Sequence, residues 1–193
     1  MRRHPFDDRL RTITGTIVAA YGNSRVPAHH IDPERKLPSR EAVVRILEKL
    51  FAVLYPGFYG VQHLTAENVE YHVGALLDDI AAELHEQVCL TYQFNEREGD
   101  GRGASAIHSA AGEAVDRFLQ RVPEVRRLLV LDCEAAMDGD PAARSFAEII
   151  FAYPGFKAIT IQRIAHELFE LGMPLLARIM TEYAHGKSGI DIH

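Results

Sequence analysis

What the chain lacks narrows its function first. It has no excess of basic charge: 21 Lys and Arg stand against 27 Asp and Glu, a formal net charge of −6. Nucleic-acid binders need a basic face to neutralise phosphates, so no nucleic-acid partner is expected. No apolar run approaches the roughly 20 residues that span a bilayer, and no membrane partner is expected either. Met1-Arg2-Arg3-His4-Pro5 is basic, but no apolar core follows it, so it does not read as a signal peptide. Two cysteines, Cys89 and Cys133, make no disulfide framework. Both lie in apolar stretches and read as reduced, buried thiols, which fits a cytoplasmic location. Ser105, Ser109, Ser145 and Ser188 lack the Gly-x-Ser-x-Gly frame of a hydrolase nucleophile. Before Ile190 no stretch alternates apolar and polar residues as a strand does.

What is present is helical periodicity. With 47% hydrophobic residues, the 193-residue chain can build a sizeable core. Residues 1–38 read as an N-terminal arm, with a short helix from Phe6 to Tyr21 and a Pro-rich polar loop from Asn23 to Pro38. Ser39 is an N-cap candidate, and Glu41 places negative charge in the first turn of the helix it starts. Val43, Val44, Leu47, Leu50, Phe51 and Leu54 form that helix's apolar face, and Tyr55-Pro56-Gly57 ends it. A second helix is expected from Thr65 to about Phe94. The Gly-rich segment 95–103 has no strand before it and no Lys-Ser/Thr after it, so it reads as a loop rather than a phosphate cradle. A helix follows from Ser105 to about Gln120, and Pro123 is expected to open another. Asp138-Gly139-Asp140-Pro141 reads as a turn, followed by a helix to about Ala152. Pro154-Gly155 turns the chain into a helix that Gly172 and Pro174 end, and a last helix carries Leu175, Leu176, Ile179, Met180 and Tyr183. Then Ile190 and Ile192 alternate with Asp191 and His193, the period of an extended strand. The expected class is all-α: an antiparallel helical bundle over residues 39–188, with 189–193 beginning something different.

Metal sites are weighed and set aside at this level. His29-His30 with Asp32 finds no answering ligand cluster, and His85 and Cys89 make half a site whose second half is missing. Glu182-x-x-His185 is one copy of a unit that di-iron bundles need twice. His166-Glu167 lacks the second His of the zinc-protease motif, because Glu170 stands there. The expectation is therefore no metal.

Three motifs in order carry a resemblance. They are Asp140-Pro141-Ala142, the helical Phe-Lys-Ala-Ile-Thr-Ile-Gln-Arg-Ile-Ala-His (156–166), and Gly-Ile-Asp-Ile-His (189–193) after one more helix. Together they resemble the junction of bacterial and plant serine acetyltransferases, where a helical N-terminal domain leads into a left-handed β-helix of hexapeptide turns. The resemblance covers about Leu37 to His193. It implies acetyl transfer from acetyl-CoA to the hydroxyl of L-serine, giving O-acetylserine for cysteine synthesis. It implies that Asp140 binds the amino group of L-serine or of the inhibitor L-cysteine, that Asp191 orients the base histidine, and that His193 lines the site. That base, the acetyl-CoA site and the tail that binds O-acetylserine sulfhydrylase lie in the family's β-helix and beyond. The chain by itself is therefore expected to bind no cofactor, to be inactive alone, and to form a homo-oligomer through its helices. A stand-alone helical scaffold or binding protein without catalysis is the other reading.

Overall fold

Helix formation begins where the sequence places a cap. In the computed structural model, which describes residues 6–21, 36–96 and 103–192, the Ser39 hydroxyl accepts the Ala42 amide at 3.2 Å. It thereby satisfies one of the amides that every helix start leaves without an internal partner. Two compact units are present, Met1–Leu37 and Pro38–His193. In the first, α1 (Asp7–Tyr21) carries Thr12 and Thr16, whose hydroxyls donate to carbonyls one turn back.

The second unit holds six helices among its described residues: α2 (Arg40–Leu54), α3 (Val69–Glu96), α4 (Ala104–Gly139), α5 (Phe146–Ala152), α6 (Pro154–Glu170) and α7 (Pro174–Ser188). It is an all-α bundle. Polar pairs between α2 and α3 fix their direction. Ser39 N donates to Gln87 Oε1 at 2.7 Å, and Lys49 Nζ reaches Asp79 at 2.8 Å and Glu83 at 3.0 Å. Partners run backwards along α3 as they run forwards along α2, so the two helices are antiparallel. The same logic joins α4 to α6, through Arg121 on Glu167 and a two-pronged Arg163–Asp132 pair. Such Arg forks give geometric specificity as well as attraction.

Between the helices lies one apolar core. Ile46, Leu50, Ile80, Leu129, Ile149, Ile161 and Leu168 are fully buried in it. The helix α4 corrects the expectation of a break before Pro123, because it runs unbroken for 36 residues with Pro123 inside it. A proline in a helix interior removes one backbone donor and crowds the preceding turn, at about 3 kcal/mol. What holds the helix through it is the buried stripe Phe118, Val122, Val125, Leu129 and Cys133, which keeps helical phase across the proline. The helix expected from Pro141 starts later, at Phe146, because Ser145 is the cap and its hydroxyl accepts the Glu148 amide.

After α2 the chain turns sharply over Tyr55. Gly60 has φ +74°, and a side chain there would meet the Ala52 Cβ at 3.1 Å, so this approach needs glycine on both counts. Tyr55 is buried against Phe156, with ring centroids 5.8 Å apart. Its hydroxyl lies 2.9 Å from Thr160 Oγ1. Thr160 gives its own proton to Phe156 O, so Tyr55 is the donor. This contact ties the end of α2 to the first turns of α6, the helix start on which the site depends. Residues 190–192 form no strand: Ile190 N donates instead to Ser188 Oγ, just after Gly189 closes α7 at φ +72°.

Candidate functional site

Asp140 sits where α4 stops. Its amide donates to Ala136 O at 3.2 Å, the last helical bond, and its backbone then turns extended. Pro141 cannot continue the ladder, since it has no N–H. One carboxylate oxygen accepts the Ala142 amide at 2.9 Å, a local turn that Asp favours. The other accepts the Tyr153 phenol at 2.6 Å. Tyr153 is the residue just before α6, with Pro154 in the first turn, so the helix start fixes where the phenol points. Tyr59 supports the same corner by donating to Ile150 O at 2.9 Å.

These contacts set the charge state. The Tyr153 phenol, and after it the Ala142 amide, hold the Asp140 carboxyl below the usual carboxylate range. In return Asp140 pushes the Tyr153 phenol up to about 12. Both partners shift in the direction one shared proton bond requires: Asp140 is ionised and Tyr153 neutral at neutral pH. The carboxylate is half-buried, so part of it still faces outward. An ionised acceptor on a braced loop suits a charge-assisted bond from an ammonium group.

Asp191 is exposed, on the segment that follows α7. Its neighbour Ile190 reaches Gly155, where its Cδ1 lies 3.8 Å from the point a Cβ would occupy. Asp140 reaches the same helix start through Tyr153, two residues earlier. The first turn of α6 therefore meets both the loop that carries Asp140 and the segment that carries Asp191. His193 lies outside the described residues, as do His29, His30 and Asp32.

Sequence reading missed Tyr153. It stands 13 residues from Asp140, beyond a turn and the short helix α5, and no single periodicity links the two. The remaining metal candidates fare differently. Glu182 is engaged by Arg178 on its own helix, and His166 is exposed beside a groove with Phe169 and Arg178. His85 and Cys89 are joined by His108 of α4.

No family model matches the chain. A plasmid-encoded serine acetyltransferase of Synechococcus elongatus is 43% identical over 169 residues, covering 86% of this chain and 53% of that protein. The structure of serine acetyltransferase 1 of Entamoeba histolytica, solved with L-cysteine, superposes with a TM-score of 0.59 at 31% identity, over 82% of this chain and 50% of that one. The native form of the same enzyme gives 0.60 at 30% identity, over 84% and 53%. The all-α bundle with its Asp-Pro-Ala loop thus matches the helical part of acyltransferase structures. The chain belongs to the serine acetyltransferase family and corresponds to its helical N-terminal part. It spans about half the length of the Synechococcus relative. Among the described residues no helix is long and apolar enough to cross a membrane.

Proposed function

We propose that this chain is the helical part of a serine O-acetyltransferase and that it holds the amino group of L-serine through Asp140. The observation that carries this reading is the Asp140 carboxylate, ionised and braced by the Tyr153 phenol at 2.6 Å and the Ala142 amide at 2.9 Å. A serine hydroxyl is a weak nucleophile near neutral pH, so a base must take its proton as the oxygen attacks the thioester carbonyl of acetyl-CoA. A C–O bond forms, the C–S bond breaks, and CoA leaves as its thiol with the proton. Positioning the amino acid is the task of this chain, and fixed geometry converts directly into rate. Asp191 is assigned as the orienter of the base histidine and His193 as a lining residue, with the base itself outside this chain. The meeting of both segments at the first turn of α6 supports that division.

L-cysteine shares the ammonium and carboxylate of serine, and the Entamoeba relative was solved with it. Asp140 is accordingly assigned to both amino acids. The charges that act on Tyr153 beside Asp140 are carboxylates, Asp140 itself and Glu148, an acidic setting that fits an ammonium and not the phosphates of CoA. Acetyl-CoA is therefore placed on residues outside this chain, together with the contact to O-acetylserine sulfhydrylase. The protein is assigned to the cytoplasm. Phe146, Phe151 and Phe169 expose large apolar rings and support association of helical faces into a dimer.

The test is direct. The purified chain is mixed with L-serine and acetyl-CoA, and released thiol is followed with a disulfide reagent. No release above buffer is expected. Sustained serine-dependent release would place the base and the acetyl-CoA site within these residues and overturn the division of roles. Light scattering should give a dimer, and a monodisperse monomer would contradict the assembly.

A further inference from the structure

The hairpin of α3 and α4 holds a second constellation, remote in sequence from the Asp140 loop. His85 and Cys89 lie one turn apart on α3, and α4 brings His108 against them. One ligand atom from each residue can be chosen so that all three lie within 4.8 Å of one another. The His85 and His108 rings stand side by side with centroids 5.0 Å apart. Cys89 is buried, His85 half-buried and His108 exposed.

From these positions the geometry points to a zinc-class divalent cation site formed by His85, Cys89 and His108. The arrangement of His85 is the most telling feature. Its Nε2 lies 3.1 Å from His108 O, a carbonyl that can only accept, so Nε2 carries the proton. That leaves Nδ1 as the unprotonated ring nitrogen, and Cys89 Sγ lies beside the ring, 3.8 Å from Nδ1 and 3.9 Å from Nε2. Metal-binding histidines are characteristically oriented in this way, by donating the other ring N–H to a carbonyl. Tetrahedral zinc, with Zn–N near 2.05 Å and Zn–S near 2.3 Å, sets its N and S ligands about 3.5 Å apart. The observed separation is close to that before any ion draws the groups together. His108, the exposed third ligand, gives an ion its way in from solvent, and a water completes the fourth position. Mixed N and S donors suit zinc over magnesium or calcium, which prefer oxygen.

Burial keeps the Cys89 thiol protonated at neutral pH. Binding must therefore expel that proton to solvent as the S–metal bond forms. The site would clip α3 to α4 on either side of residues 97–102. It is independent of the acetyl-transfer reading, and neither stands or falls with the other.

The test uses the whole chain, stripped with a chelator and titrated with zinc chloride against a chromophoric competitor. One zinc per chain is expected, with a dissociation constant tighter than about 10 μM. Exposed His108→Ala should weaken it at least about tenfold while leaving metal-free melting unchanged. Cobalt substituted into the parent chain should show a thiolate-to-metal charge-transfer band, absent from Cys89→Ser. Absence of stoichiometric zinc binding overturns the site. So does a cobalt adduct of the parent chain without the thiolate band, or zinc affinity that His108→Ala leaves intact. Zinc lost instead on replacing His29 and His30 would overturn it as well.

Discussion

The Tyr55–Thr160 bond offers a sharp check on how the core positions the site, because its donor and acceptor are both known. Tyr55→Phe removes the donor. Thr160 keeps its own bond to Phe156 O, so no buried polar group is orphaned. The loss should be about 1 kcal/mol, the net value of a single hydrogen bond. Thr160→Val acts differently. It leaves the Tyr55 hydroxyl buried with no acceptor, and the expected cost is about 2 kcal/mol, within the range for a stranded buried donor. In the double variant the stranded hydroxyl is gone, so the total should fall back to about 1 kcal/mol rather than rise to the sum. Urea unfolding reads these values. With a slope of about 2 kcal/mol/M, Tyr55→Phe should shift the midpoint by about 0.5 M. Burial also holds the Tyr55 phenol above its ordinary range, so its absorbance should not titrate with the exposed tyrosines. If the double variant is as unstable as the two single losses added together, the two groups are not coupled. The claim that this bond anchors the start of α6 then fails.

Other expectations follow from the same geometry. Asp140→Asn removes the carboxylate that holds the Tyr153 phenol near 12, so that phenol should ionise closer to the ordinary tyrosine value in a spectrophotometric titration. An unchanged high value would show that Asp140 is not its cause. The Asp140–Tyr153 contact needs an ionised carboxyl, and the folded-state value of Asp140 is depressed. Its contribution to stability is thus present above the ordinary aspartate range and lost as pH falls through the depressed value. Tyr153→Phe should flatten the acid limb of the stability curve, and an identical limb would argue against the contact. Leu129→Ala, in the middle of the buried α4 stripe, should cost about 2–5 kcal/mol in chemical denaturation. A loss under about 1 kcal/mol would mean that this stripe does not hold the helix through Pro123.

The sequence was most readable where local rules and burial agreed. Ser39 with Glu41 marked the start of α2, and Leu47, Leu50, Phe51 and Leu54 are buried as their spacing requires. Pro154 and Pro174 sit in the first turns of α6 and α7. Ile46 also entered the core, a position adjacent to the marked face, because α2 is covered by both α3 and α7. Pro123 misled, since its local cost is overruled by five buried neighbours in phase. The motif order of Asp140, the 156–166 helix and the 189–193 segment gave the family. Contacts that cross loops were not readable. Tyr153 meets Asp140, and His108 meets His85, only because tertiary packing brings together residues that no local spacing rule links.

The central claim is that Asp140, steadied by Tyr153, receives an α-ammonium group. The most direct measurement is a nuclear magnetic resonance titration of the labelled chain, following the Ala142 amide and the Tyr153 ring. Both report on the two Asp140 oxygens. L-serine and L-cysteine should shift these signals saturably, while N-acetylserine, which has no ammonium, should leave them in place. Equal shifts from N-acetylserine, or none from either free amino acid, would contradict the account.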